Sequence, residues 1–290
     1  MIFIICHQNY LNDKMVDTIK HIPNILWTPH LLEELKGKTL EDIKKTLMPI
    51  SKLKKIAKIV NSTNKNGTPS TIPKQFDWKQ QKPECLKVRS QQICGGCWAF
   101  SAVGSLSDNR CINGLDNPRV QYSEQYQISC DKGNSGCAGG ELLQSMQFLV
   151  EYGVPTNQCV DYKDQFGQRI KCPTECDNGS NLTFIKAQGF EQVCNGEESI
   201  KLALTKGTIQ TGFTIYQDYF CYKKGIYHHV TGELVGGHVI VLVGYGEENG
   251  VKFWKARNSN EPTWGEEGYF RILRGTNECD IEEECYLVIP

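Results

Sequence analysis

The 290-residue chain has no apolar run near the ~18 residues that cross a membrane, so no span is expected. Its apolar start, Ile2-Phe3-Ile4-Ile5-Cys6, is shorter than the roughly 7 residues of a signal-peptide core and reads as a signal remnant at 1–6. Arginine is absent from residues 1–71. Cys172 and Cys176 lie four apart, but no second Cys/His pair of zinc spacing accompanies them, so no metal is expected. Nothing calls for a cofactor or, at a net charge of −1, for a nucleic-acid partner.

Cysteine is abundant. Fourteen Cys are too many for an ordinary cytosolic protein and indicate an oxidising compartment, either lysosome-like vesicles or the exterior. Sequons stand at Asn61, Asn66, Asn178 and Asn181, and they would be glycosylated only in a chain that enters the secretory route. The length allows a large core in one or two domains.

Residues 1–71 differ from the rest. They carry 11 Lys against 6 Asp or Glu, a net +5, which leaves −6 for residues 72–290. Leu11, Met15, Ile19 and Ile22 are spaced for one helical face. Thr39 can cap a second helix that turns Leu40, Ile43 and Leu47 inward. Lys52, Lys54, Lys55 and Lys58 alternate with Leu53, Ile56, Ala57 and Val60. The polar stretch 61–70 then reads as a protease-accessible linker. Such a region is either a basic helical arm or a propeptide whose positive charge would help it dock on the acidic remainder. Helical patterns follow over 97–150, including 141–152. From about Phe184, strand-like runs dominate at 239–243, 252–256 and 269–273. Helices and strands in separate halves imply an α+β fold.

The chemistry gathers at three places. Residues 91–101 read Gln-Gln-Ile-Cys-Gly-Gly-Cys-Trp-Ala-Phe-Ser. Two Gly allow a sharp turn, and Cys97 then opens an apolar helix, where the positive end of the dipole favours thiolate. Taken alone, Cys97 is equally readable as a half-cystine. A thiolate nucleophile needs a base and a group that orients it. His238 follows Gly236-Gly237 at the mouth of an apolar strand, and Asn258 follows another strand-like segment; an Asn amide can fix a His tautomer. Singly, these two residues read as a strand-end His and a turn Asn.

Together, Cys94-Gly95-Gly96-Cys97-Trp98, Gly236-Gly237-His238 and Asn258-Ser259 resemble the papain family of cysteine proteases. The similarity is nearest to cathepsin B-like members and runs from about Ile72 to Pro290. Ile72-Pro73-Lys74-Gln75-Phe76-Asp77, residues 227–233, 264–270 and Cys279-Asp280-Ile281-Glu282 carry it further. The resemblance implies a helical lobe and a β-barrel-like lobe with a cleft between them, an inhibitory propeptide at 1–71 and a peptidase domain at 72–290. It implies Cys97 as nucleophile, His238 as base, Asn258 as orienting residue and Gln91 in the oxyanion hole. It places Gly139, Gly140, Gly237, Trp264 and Glu284 at the substrate, with Trp264 on the primed side and Glu284 under the pocket for the second residue before the cut. An alternative for Glu284 is a solvent-facing place in an acidic tail. The implied disulfides are Cys94–Cys137, Cys85–Cys111, Cys130–Cys172 and Cys159–Cys176. Cys6, Cys194, Cys221, Cys279 and Cys285 remain unassigned.

The implied activity is that of a latent cysteine endopeptidase working through a thiolate–imidazolium pair with a depressed Cys pKa. The implied partners are protein and peptide substrates, the chain's own propeptide and cystatin-like inhibitors, and the protease is expected to be a monomer. Three departures stand out. Asn260 replaces the usual Trp that shields the Asn–His bond. Gly96 and Ala138 replace a Ser and an Asn. No His occurs between Gly153 and Cys176, where cathepsin B carries its His-bearing cap on the primed side; the His228-His229 pair reads as ordinary strand or loop residues. A catalytically impaired, protease-like binding protein is the rival reading, and a transferase on the same fold is a third.

Overall fold

The computed structural model describes residues 11–53, 72–163 and 170–290. The apolar start at 1–6, the basic stripe from Lys54 on, the linker 61–70, the sequons at Asn61 and Asn66, and Cys6 lie outside the described residues. The helices are α1 (Asp13–Lys20), α2 (Leu40–Lys44), α3 (Trp78–Gln81), α4 (Cys97–Ile112), α5 (Glu124–Cys130), α6 (Leu142–Glu151) and α7 (Glu197–Leu204). The strands are β1 (Trp27–Pro29), β2 (Phe76–Asp77), β3 (Gly189–Gln192), β4 (Ile209–Tyr216), β5 (Tyr222–Tyr227), β6 (Leu234–Glu248), β7 (Val251–Arg257), β8 (Tyr269–Leu273) and β9 (Cys285–Ile289). This is the α+β arrangement read from the sequence: helices α4 to α6 form one lobe and the sheet forms the other.

The strands run β1-β5-β8-β7-β6-β4-β9-β3, and β2 pairs with β6. Only β5 and β8 are parallel neighbours. β6 is long and apolar because it is covered on both faces; it is buried from Val235 through Gly246. Helix α4 runs between the lobes, and 15 of its 16 residues are buried. Its polar side chains therefore need internal partners. Asn109 Nδ2 donates to the carbonyls of Thr208 and Val288, and Gln210 Nε2 donates to Trp98 O and Ser101 Oγ. Asp108, fully buried, pairs with Arg119 at 2.9 Å and Arg257 at 2.8 Å. Four disulfides, Cys85–Cys111, Cys94–Cys137, Cys130–Cys172 and Cys159–Cys176, tie the helical half and its loops. They are the pairs the resemblance implied. Cys194, Cys221, Cys279 and Cys285 are not in disulfides.

The N-terminal segment crosses the molecule. Asn12 caps α1, and Thr39 with Asp42 forms a capping box on α2. β1 extends the sheet by pairing Trp27 with Gly225. A Cβ on Gly225 would stand 2.5 Å from Leu26 O and 2.7 Å from Trp27 Cα, and its φ is +104°, so only glycine lets the segment approach this closely. Further along, Met48 N and O exchange hydrogen bonds of 3.0 and 2.9 Å with Gly237.

Among the described residues, apolar burial contributes more than ion pairing to holding the segment. Among the described residues, Lys52–Glu141 at 3.9 Å is the ion pair that links it to the body, and a partly exposed pair contributes about 0–1 kcal/mol. Leu11, Ile19, Trp27, Leu31, Ile43, Leu47 and Met48 are each at most 5% exposed, and each such burial stabilises by about 1.5–3 kcal/mol as an upper estimate. Apolar burial and strand pairing thus add to whatever help the opposite net charges give to docking.

Trp27 packs against Tyr227 at 5.4 Å and Tyr222 at 6.2 Å, and its Nε1 donates to His228 O at 3.0 Å. Trp27→Ala should weaken attachment of the segment by about 3–5 kcal/mol. Hydrogen exchange will read this at the Ile226 amide, which bonds Leu26 O at 2.9 Å. That amide should exchange much faster in the variant, while the β4–β6 amides keep their protection.

Candidate active site

Local constraints set the start of α4. The Cys94–Cys137 disulfide and the Gly95 N to Cys137 O bond at 3.0 Å hold the loop before it. A Cβ on Gly95 would meet Cys137 O at 2.5 Å and Leu47 O at 2.7 Å. Gly96 precedes the helix without a side-chain cap, so the first-turn N–H groups face the site. Trp98 Nε1 donates to Gly136 O at 3.0 Å and pins the first turn. Cys97 is free of any disulfide and wholly buried.

His238 lies in β6 opposite Phe213 of β4. Asn258 directly follows β7, whose last residue, Arg257, pairs with Val241 of β6. The buried His238 Nε2 and Asn258 Oδ1 are 2.8 Å apart. Ser259 N also donates to Oδ1 at 2.8 Å, and Asn258 Nδ2 donates to Tyr219 Oη at 3.0 Å. An amide oxygen facing the ring requires the proton on Nε2. His238 Nδ1 then carries the lone pair, and it has no hydrogen-bond partner among the described residues. The backbone N–H of Val239, the next residue, points at the Cys97 sulfur, as do those of Trp98 and Cys97 itself. The structure therefore brings the thiol beside the residue that follows His238, five residues into β6.

Gln91 is 1% exposed. Its Nε2 donates to Thr46 O at 2.9 Å and Cys94 O at 2.7 Å, and its Oε1 accepts from Ser259 Oγ. Tyr162 Oη donates to Gln91 O at 2.7 Å. Tyr219, Ser259, Tyr162 and the Asp108–Arg257 pair were all missed by sequence reading. Each supports the site through a hydrogen bond between residues far apart in sequence, which no local motif announces.

The segment 46–53 covers this assembly. A Cβ on Gly139 would meet Met48 Cβ and Pro49 Cδ at 2.9 Å, and one on Gly237 would meet Leu53 at 3.0 Å. Gly140 is packed instead against Trp98 and Asn134, each of which would stand 2.7 Å from a Cβ at that position. Trp264 is 2% exposed in this covered form, with its ring against Tyr219 at 5.0 Å, Tyr222 at 5.6 Å and Phe270 at 5.8 Å. Glu284 is 2% exposed and lines a cavity of about 250 Å³ with Ile50, Leu53, Gly212, Thr214 and Asp280. His229 sits 3.2 Å from buried Asp218 and stacks on Tyr216.

The expected low thiol pKa is not found in this covered form. Burial pushes Cys97 up to about 12, against the three backbone N–H groups, and burial pushes His238 down to about 4, against its bond to Asn258. Under the segment the pair is therefore a neutral thiol and a neutral imidazole. Excluding water removes the solvation that would support the charged forms.

Similarity to known proteins agrees with this geometry. A family model described as papain family cysteine protease matches residues 72–289. Cathepsin B-like CP3 of Giardia intestinalis is 40% identical over 276 residues, covering 93% of this chain and 92% of that one. The solved structure of proCathepsin B S9 from Trypanosoma congolense superposes with a TM-score of 0.87 at 29% identity, covering 98% and 99% of the two chains. The proform of the ragweed pollen cysteine protease Amb a 11 gives 0.79 at 26% identity, covering 96% and 85%.

A pH dependence follows. An exposed imidazole protonates near 6.5, whereas the covered His238 resists protonation to about 4. The covered form therefore loses stability as pH falls from 6.5 to 4, by on the order of 3 kcal/mol. The Cys97 shift acts at the other end: the covered form loses stability as pH rises above 9. Thermal unfolding of the full chain should show a midpoint that drops between pH 7 and pH 4, and the drop should shrink in His238→Gln. An equal drop in that variant would remove His238 as the cause.

Proposed function

Because the chain belongs to the papain family of cysteine proteases, we propose that Cys97, His238, Asn258 and Gln91 are its catalytic residues. The protein is a cathepsin B-like cysteine protease with a latent proform. In our reading residues 1–71 are the inhibitory segment and 72–290 the peptidase. The observation that carries this is the His238–Asn258 bond of 2.8 Å beside a free thiol at the start of α4, with Thr46 to Leu53 lying over both.

The chemistry follows from the arrangement. Once the segment leaves, water reaches the pair, and His238 Nδ1 takes the proton of Cys97 Sγ. The thiolate attacks the scissile carbonyl carbon. The oxyanion accepts from the Cys97 N–H and from Gln91 Nε2, the donor that Thr46 O occupies in the covered form. Donors of this kind contribute about 3–4 kcal/mol each. His238 protonates the leaving amine, and water then hydrolyses the thioester. Gly139 and Gly237 would present backbone to an extended substrate where Met48 now lies. The lack of His between residues 153 and 176 supports endopeptidase action. A cystatin-like inhibitor could occupy the same cleft, and the protease would work as a monomer in lysosome-like vesicles or outside the cell. No helix of the described residues is long and apolar enough to cross a membrane.

Peptide cleavage by the full chain should be far slower than by a chain that begins at Ile72, and Cys97→Ala in the shorter chain should be inactive. Equal rates for the two lengths would rule out inhibition by 1–71. Activity in the alanine variant would rule out Cys97 as the nucleophile.

Glu284 gives a second test. Its carboxylate, buried at the cavity that holds Leu53, can pair with a substrate Arg two residues before the cut. Glu284→Ala should lower cleavage of Arg substrates relative to Leu substrates by on the order of 2 kcal/mol, about thirtyfold. An unchanged ratio would place Glu284 outside recognition.

A further inference from the structure

The side chain of Asn258 is nearly symmetric in shape. Turned end for end, it would present N–H to His238 instead of oxygen. The ring would then have to accept at Nε2 and carry its proton on Nδ1, leaving no lone pair for the thiol. One neighbour opposes that turn: Ser259 N–H can only donate, and at 2.8 Å it selects oxygen at one position of the amide. At the other position, Tyr219 Oη stands 3.0 Å from Nδ2 and accepts from it; a hydroxyl can serve either amide atom, so this contact anchors the amide in place and leaves its polarity to Ser259. Asn258 is 2% exposed and Tyr219 1% exposed, so bulk water does not readily replace this acceptor.

The hydroxyl is also held in place. The Tyr219 ring contacts Trp264 at 5.0 Å, Phe213 and Phe270 at 5.4 Å, and Tyr227 at 5.5 Å. Burial raises its pKa well above the ordinary tyrosine value, so it remains a neutral phenol and takes no part in proton transfer. The neighbouring carboxylate, Asp218, is engaged by Tyr227 Oη and by the amides of Val230 and Thr231.

We propose that Tyr219 is a positioning residue that anchors the Asn258 amide against His238, in the orientation that Ser259 N–H selects, and so keeps the Nδ1 lone pair available to Cys97. This rests on the assignment of Cys97, His238 and Asn258 given above. Tyr219 touches none of the reacting atoms and works across two hydrogen bonds.

The test uses the full chain processed to its active form, with active sites counted by thiol labelling. Tyr219→Phe keeps the ring and removes the hydroxyl. It should lower kcat about threefold to tenfold, the effect of one buried hydrogen bond, with KM unchanged. In an Asn258→Ala background the same substitution should cost nothing further. An equal loss in both backgrounds, or no loss in either, would overturn the proposal. Imidazole nitrogen NMR on the full wild-type chain, where His238 is neutral, needs no variant to fold. It should find the proton on Nε2, and the opposite tautomer would overturn the proposal. Labelling distinguishes the two readings: if wild type is not labelled at Cys97, the site assignment itself fails, whereas labelling with a flat cycle rejects only the role of Tyr219.

Discussion

The hydrogen bond from His238 to Asn258 is the constraint on which the rest of the site depends. It joins a residue of β6 to the residue that directly follows β7, so it exists only if the two strands keep their register, with Val241 opposite Arg257. That register is secured from outside the sheet. Arg257 forms a buried ion pair with Asp108 of α4, which ties the end of β7 to the helix that carries the thiol. Removing one partner of such a pair costs about 3–5 kcal/mol because the other charge is left buried. Ser259 continues the chain of contacts to Gln91, through its own carbonyl and hydroxyl. Cys97, His238, Asn258 and Gln91 therefore share one rigid frame rather than four separate supports.

The N-terminal segment acts on this frame by excluding water. Among its described residues, none places a charge against the thiol or the imidazole. It covers them with Leu47, Met48 and Leu53 and fills the Gln91 donor with Thr46 O. The same burial that fixes the segment raises the Cys97 pKa and lowers that of His238. Latency and attachment are thus two consequences of one term, the cost of removing polar groups from water.

Much of this was legible in the sequence where the signal is local. The helix that opens at Cys97, the strands around His238 and before Asn258, and the Thr39 cap are written in periodicity and residue type. The capping box at Thr39 and Asp42 is complete within four residues, which is why it could be read. β1 could not be read, because three residues become a strand only by meeting Gly225 nearly two hundred positions later. Tyr219 was likewise silent: a Tyr within an aromatic stretch reads as core, and only the fold reveals that its hydroxyl meets Asn258. The charge asymmetry of the two halves was legible too, but counting Lys says nothing about which side chains are buried, so the apolar seat of the segment was not.

Glycine explains how the cleft accommodates the covering segment and, in the reading proposed above, an extended substrate as well. At Gly237 the segment bonds through backbone alone, with Met48 giving and receiving one hydrogen bond. At Gly139 the left-handed φ of +102° and the 2.9 Å approach of Met48 and Pro49 leave no room for a side chain. Backbone pairing of this kind is indifferent to the sequence of the partner. The two glycines therefore cannot be what distinguishes the covering segment from a substrate. That distinction has to come from side-chain sites away from them. The aromatic seat of Trp27 and the helix that buries Ile19 are such sites, and the cavity that Leu53 lines is a third.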